Sequence, residues 1–108
     1  MSSKYPALII ALIHNHDAWI VGSAANPDNK DPRDIDIIVP FSQWQSASAL
    51  IPKDAKVNTF GGWKCQCKIN DLTIEVDVWP GDLGWLMQHP QAQWAFHPRS
   101  GTRLQKIK

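Results

Sequence analysis

Cysteine is scarce in this chain, long apolar runs are missing, and acidic residues stop at Asp82. Each absence excludes something. The two cysteines, Cys65 and Cys67, are too few for a structural zinc site, and their C-x-C spacing is not the usual C-x2-C. Side chains two apart on a strand share a face, so reduced, packed thiols are expected, as in a cytosolic protein. The apolar run Ala7 to Ile13 is far too short to span a membrane. No cleavable apolar stretch follows a basic start. A cytoplasmic location and no membrane partner are the expectation. A net charge of +1 gives no global case for nucleic acid. After Asp82 come Arg99, Arg103, Lys106 and Lys108 without an acid among them. A solvated basic tail is the plain expectation and a phosphate-facing end the alternative. No Ser-His or Cys-His couple suggests itself, since His89 and His97 both precede prolines and read as loop residues.

What is present is a chain of 108 residues with six tryptophans. That length suits a single domain, 1–108, and most of the tryptophans read as core and edge packing. Ala7 to Ile13 suggests a buried helix with Pro6 as its first residue, ending near Asn15 or His16, although a strand fits so short a run as well. Ala18 to Val21 is a short strand stopping at Gly22-Ser23. Asn26 to Arg33 is a polar loop. Asp34 to Val39 is a second strand, and Ser42 can cap a helix to about Leu50. Val57 to Phe60 reads as a third strand, with a turn or bulge at Gly61-Gly62. Lys64 to Ile69 and Leu72 to Trp79 alternate and flank Asn70-Asp71, a two-residue hairpin signal. Asp82 is expected to cap a last helix to about Met87. Beyond Pro90 the pattern predicts irregular structure or one short helix. The sum is an α+β domain, a small mixed β-sheet with helices mainly on one face.

The second strand poses a problem of charge. Successive side chains alternate faces, so Ile35, Ile37 and Val39 enter the core while Asp34 and Asp36 point together the other way. Their Cα atoms are roughly 6.6 Å apart at about 3.3 Å per residue. Two like charges at about 6 Å repel by roughly 3 kcal/mol at an effective dielectric near 20. A divalent cation converts that repulsion into shared coordination, and Mg²⁺ favours carboxylates together with substrate phosphates. In Ile74 to Trp79, Glu75 and Asp77 share one face. Asp77 is bracketed by valines and lies deeper in the strand than Glu75, so it is the favoured third carboxylate if this strand lies beside Asp34 to Val39. Gly22 permits close backbone approach, and Ser23 adds a hydroxyl donor for a phosphate oxygen.

Gly-Ser at Gly22-Ser23, Asp-Ile-Asp at Asp34 to Asp36, and Val-Asp-Val at Val76 to Val78 stand in the order found in the nucleotidyltransferase superfamily that includes DNA polymerase β. Over about residues 7–87 the chain resembles the catalytic core of that group. The resemblance implies the nucleotidyltransferase fold, two Mg²⁺ ions, and transfer of a nucleoside monophosphate from a nucleoside triphosphate, with ATP the expected donor, to an acceptor hydroxyl. By position, Asp34 and Asp36 would bind both metals. Asp77 would bind the catalytic metal and help deprotonate the acceptor. Gly22 and Ser23 would hold the triphosphate. Where small antitoxin-like members carry arginine after this turn, the chain reads Ala24-Ala25-Asn26, which leaves Lys30 and Arg33 as the nearest bases. The acceptor class, whether RNA, protein or small molecule, is open, and a protein partner could supply its specificity. The alternatives are a non-catalytic, antitoxin-like interaction module of the same fold and a nucleic-acid-binding accessory.

Overall fold

The computed structural model describes residues 5–59, 61–82, 84, 88, 89 and 92–106, and among these a seven-stranded sheet carries two short helices that are described along their whole length. The helices are α1 (Ala7–Asn15) and α2 (Trp44–Ser48). The strands are β1 (Trp19–Val21), β2 (Asp34–Val39), β3 (Lys56–Val57), β4 (Trp63–Ile69), β5 (Leu72–Pro80), β6 (Trp94–His97) and β7 (Thr102–Gln105). Their spatial order is β3-β4-β5-β2-β1-β6-β7. Every neighbouring pair is antiparallel except β2 and β5, which run parallel. The fold is therefore mixed α+β, with a mostly antiparallel sheet. Among the described residues no helix is long and apolar enough to cross a membrane.

The sheet is buried on both faces at its centre, and this explains the apolar run of β2. Ile35, Ile37 and Val39 join Ile9, Leu12 and Ile13 of α1 and Ala47 of α2 in the main core. Both helices thus pack on one face. Ile38 points the other way, into a smaller cluster with Val21, Trp79, Ala92 and Ala95. Complete burial of an isoleucine or valine contributes about 1.5–3 kcal/mol, so β2 is held from both sides. The helices are joined through His16, whose Nε2 lies 3.0 Å from Ser46 Oγ.

Several expectations need correction. Pro6 precedes α1 instead of beginning it. The Ser42 region forms a 3₁₀ turn (Phe41–Gln43) leading into α2, and no side-chain cap bond is made at either start. β3 lies at Lys56–Val57, and Phe60 falls outside the described residues. The expected helix to Met87 falls largely outside them too, although Asp82 Oδ1 does accept the Gly84 N–H at 2.9 Å. The segment after Pro90 is not irregular from Trp94 onward: it folds as the β6–β7 hairpin, because β1 needs a second edge partner and finds it in β6. Gly101, at φ 76°, closes that hairpin. His97 is correspondingly no loop residue. It lies in β6, buried, with Nε2 2.6 Å from Asp17 Oδ1.

The cysteines sit on β4 as expected, as free thiols whose sulfurs lie 3.9 Å apart in a weak hydrogen bond. Burial, with Cys67 beside it, pushes the Cys65 thiol up to about 12. The thiolate is the nucleophile, so at pH 8 iodoacetamide is expected to modify Cys65 in the folded chain at least about 100-fold more slowly than in urea. Mass spectrometry of timed quenches measures this, and equal rates would contradict the burial.

Candidate functional site

The sheet face opposite the two helices changes character along its strands. At one end Trp19, Ile38 and Trp79 lie in register across β1, β2 and β5. One step along, Val21, Asp36, Asp77 and Lys64 form the next row across β1, β2, β5 and β4. A further step brings Asp34, Glu75 and Gln66. Asp36 and Asp77 therefore stand where apolar surface gives way to charge, directly opposite one another on parallel strands. Adjacent strands are about 4.8 Å apart, closer than the spacing within β2.

That placement decides the electrostatics. Both carboxylates are half-buried. Burial against the apolar row, then the charge of Asp77, and after it Asp34 and Glu75, push Asp36 up to about 6. Asp77 is raised as well, again by burial first, but Lys64 and Asn58 hold it back. Asn58 Nδ2 approaches Asp77 Oδ1 at 3.5 Å, at the outer limit for a hydrogen bond. The outer row behaves differently. Asp34 is raised by desolvation and by hydrogen bonding with Glu75. Glu75 is lowered chiefly by Lys64, whose Nζ lies 3.1 Å from Oε1.

The glycine corner is beside the pair. Gly22, buried at φ 76°, opens a 3₁₀ turn, Gly22–Ala25. A side-chain carbon at Gly22 would stand 3.5 Å from Asp36 Oδ2. A non-glycine residue is disfavoured by the backbone angle, since left-handed geometry costs other residues about 1–2 kcal/mol. Ser23 is exposed on the same turn.

Of the residues singled out from the sequence, the structure brings Asp36, Asp77 and Gly22 together, with Ser23 adjoining. Asp34 lies one row out, engaged with Glu75. Lys30 lines a separate depression that neither Asp36 nor Asp77 borders. Arg33 is exposed, and its carbonyl accepts the Glu75 N–H at 2.9 Å, which extends the β2–β5 ladder. Sequence reasoning missed Lys64 and Asn58. Lys64 was within reach: counting back from the Asn70-Asp71 turn pairs residue 69 with 72 and, five steps on, Lys64 with Asp77. Asn58 carried no comparable signal, because its position depends on a backbone contact at Gly62. A groove of about 460 Å³ opens at this side, lined by Lys56, Asn58, Thr59, Lys64, Asp77 and Trp79 among others.

Among the described residues, no three His, Cys, Asp or Glu side chains are grouped as they would be around a metal ion. The Asp36–Asp77 pair nevertheless has the chemistry of a hard-cation site, being two half-buried oxygen ligands that repel one another. Compared with protein-family models, with curated proteins and with solved structures, the chain matches none.

Proposed function

We propose that this chain is a nucleotidyltransferase that moves a nucleoside monophosphate from a nucleoside triphosphate to an acceptor hydroxyl, on a minimal version of the nucleotidyltransferase fold. The observation that carries this reading is the side-by-side placement of Asp36 and Asp77 with Gly22 against the Asp36 carboxylate. Crowded carboxylates cost stability unless something they bind offsets the repulsion. Asp36 and Asp77 would hold Mg²⁺, with Asp34 as the third ligand once it leaves Glu75. Bound there, the metal supplies charge neutralisation at the phosphates and the leaving pyrophosphate.

The protein residues do the rest by position. Gly22 lets the turn approach the phosphates closely, and Ser23 Oγ donates to a phosphate oxygen. Asp77 borders the groove of about 460 Å³, so an acceptor hydroxyl lying there meets its carboxylate. General-base catalysis asks first for a carboxylate within hydrogen-bond reach of the hydroxyl, and Asp77 would supply it there. Lys64 keeps Glu75 ionised and out of the Asp36–Asp77 pair.

The test is incubation with each labelled triphosphate, Mg²⁺ and cell extract, which offers RNA, protein and small-molecule acceptors together. Pyrophosphate release with label on an acceptor is expected, ATP being tried first. Asp77→Asn is expected to lower the rate by about 100- to 10,000-fold. Silence with every triphosphate, or an Asp77→Asn variant as active as the parent, would overturn the reading.

A further inference from the structure

A second depression, of about 260 Å³, borders the Gly22–Ala25 turn and is walled by Ala24, Asn26, Pro27, Asn29, Lys30 and Arg103. We propose that it binds the outer phosphates of a polyphosphate, with Arg103 as its fixed cation and Lys30 as its adjustable one. Only the position of the reacting phosphate depends on the reading of Asp36 and Asp77 given above. The depression itself stands on its own observations.

Arg103 comes from β7, 78 residues beyond Ala25, and is held in two ways. Its Nε donates to the Ala25 carbonyl at 3.1 Å, and its guanidinium carbon sits 4.4 Å from the ring centre of Phe96 on β6. A guanidinium already restrained loses little freedom when an anion arrives, and its Nη donors suit phosphate oxygens. Among the described residues the ion pairs are Lys64–Glu75 and Asp17–His97, so neither Arg103 nor Lys30 has a carboxylate counter-charge. Asp28 and Asp31 belong to the same loop but do not line the depression.

The wall is ordered by bonds of its own. Asn29 Nδ2 donates to the Ser23 carbonyl at 3.1 Å, and Asn26 Oδ1 accepts the Asp28 N–H at 2.9 Å. Asn26 therefore has its amide N–H groups to offer a ligand. Size favours phosphate over a whole nucleoside, because pockets for larger organic ligands run from roughly 300 to 1,000 Å³. Reach is right as well. Three residue steps of a 3₁₀ turn rise about 6 Å, so phosphates linked to one reacting at Asp36 can follow the turn from Gly22 to Ala25.

The experiment is calorimetric titration of the full chain with inorganic tripolyphosphate in the presence of a chelator, so that carboxylate-bound metal plays no part. Saturable binding that weakens with salt is expected. Arg103→Gln is expected to weaken it at least tenfold and Arg103→Lys to restore part of the loss. Lys30→Gln, which touches no fold contact described above, is expected to weaken it about threefold. Asp36→Asn is expected to leave binding intact or tighten it by removing a nearby negative charge. Absence of binding, or Arg103→Gln and Lys30→Gln variants that bind like the parent, would overturn the proposal. So would Arg103-dependent capture of a single-stranded oligonucleotide that tripolyphosphate fails to displace. Arg103-dependent tripolyphosphate binding in a chain that transfers no nucleotide would sink the transferase reading and leave this site standing.

Discussion

Gly62→Ala is expected to lower the melting temperature by about 15 °C or more, or to leave the chain unfolded. A carbon at that position would lie 1.8 Å from the Val78 carbonyl oxygen, 2.9 Å from its carbon and 3.0 Å from Trp79 Cα. All three are backbone atoms of β5, so no side chain can swing aside. Gly62 also exchanges two bonds with Asn58: its N–H donates to Oδ1 at 2.9 Å, and its carbonyl accepts the Asn58 N–H at 3.1 Å. Overpacking costs about 1–3 kcal/mol, and each lost bond adds about 1 kcal/mol. At about 4–8 °C per kcal/mol for a domain of this size, the loss is large. Gly61→Ala is the control. Gly61 has φ 79° but nothing within 4 Å of the added carbon, so only the backbone penalty of about 1–2 kcal/mol applies. Thermal unfolding followed by circular dichroism separates the two. A Gly62→Ala protein melting within a few degrees of the parent would mean that β4 and β5 do not meet as described.

Asp36→Asn is expected to do the opposite in metal-free protein: to stabilise it at pH 8. Asp36 is pushed up to about 6 from its ordinary 3.8, so the folded state holds the proton more tightly than the unfolded chain does. Ionisation therefore opposes folding. The penalty is absent below about pH 4, grows between about pH 4 and 6, and is complete above about pH 7. Its ceiling is about 3 kcal/mol, and solvent reaching a half-buried group reduces it to about 1–2 kcal/mol. The variant should melt about 5–12 °C above the parent at pH 8, and the two should converge near pH 4. It should also lose any stabilisation by Mg²⁺ and ATP, since a ligand stabilises only the state that binds it. A variant less stable than the parent at pH 8 would contradict the crowding.

How much of this could be read from the residues depends on the range of the forces involved. The β4–β5 hairpin was legible because Asn70-Asp71 sits between two alternating runs, and Asn70 duly adopts φ 55°. β2 was legible because its charged and apolar positions alternate. The union of Asp36 with Asp77 was a conditional inference, since strand alternation gives the face but not which strand lies alongside. The β2–β5 parallel register supplied that. The β6–β7 hairpin escaped because Trp94 to His97 is short, and its pairing with β1 is a contact between distant parts of the chain. Arg103 escaped with it: a basic residue near a terminus reads as solvated until a hairpin folds it back onto Ala25. Lys30 and Arg33 are neighbours of the turn in sequence, and the structure sends them to different places.

Central to the proposed function is a crowded Asp36–Asp77 pair made to share a cation. The most direct measurement is the titration of the Asp36 side-chain carboxyl by carbon-13 NMR, without and with Mg²⁺. The predicted result is a midpoint near 6 in metal-free protein that falls below the ordinary aspartate range when Mg²⁺ is added. A midpoint near 4 that Mg²⁺ does not move would contradict it.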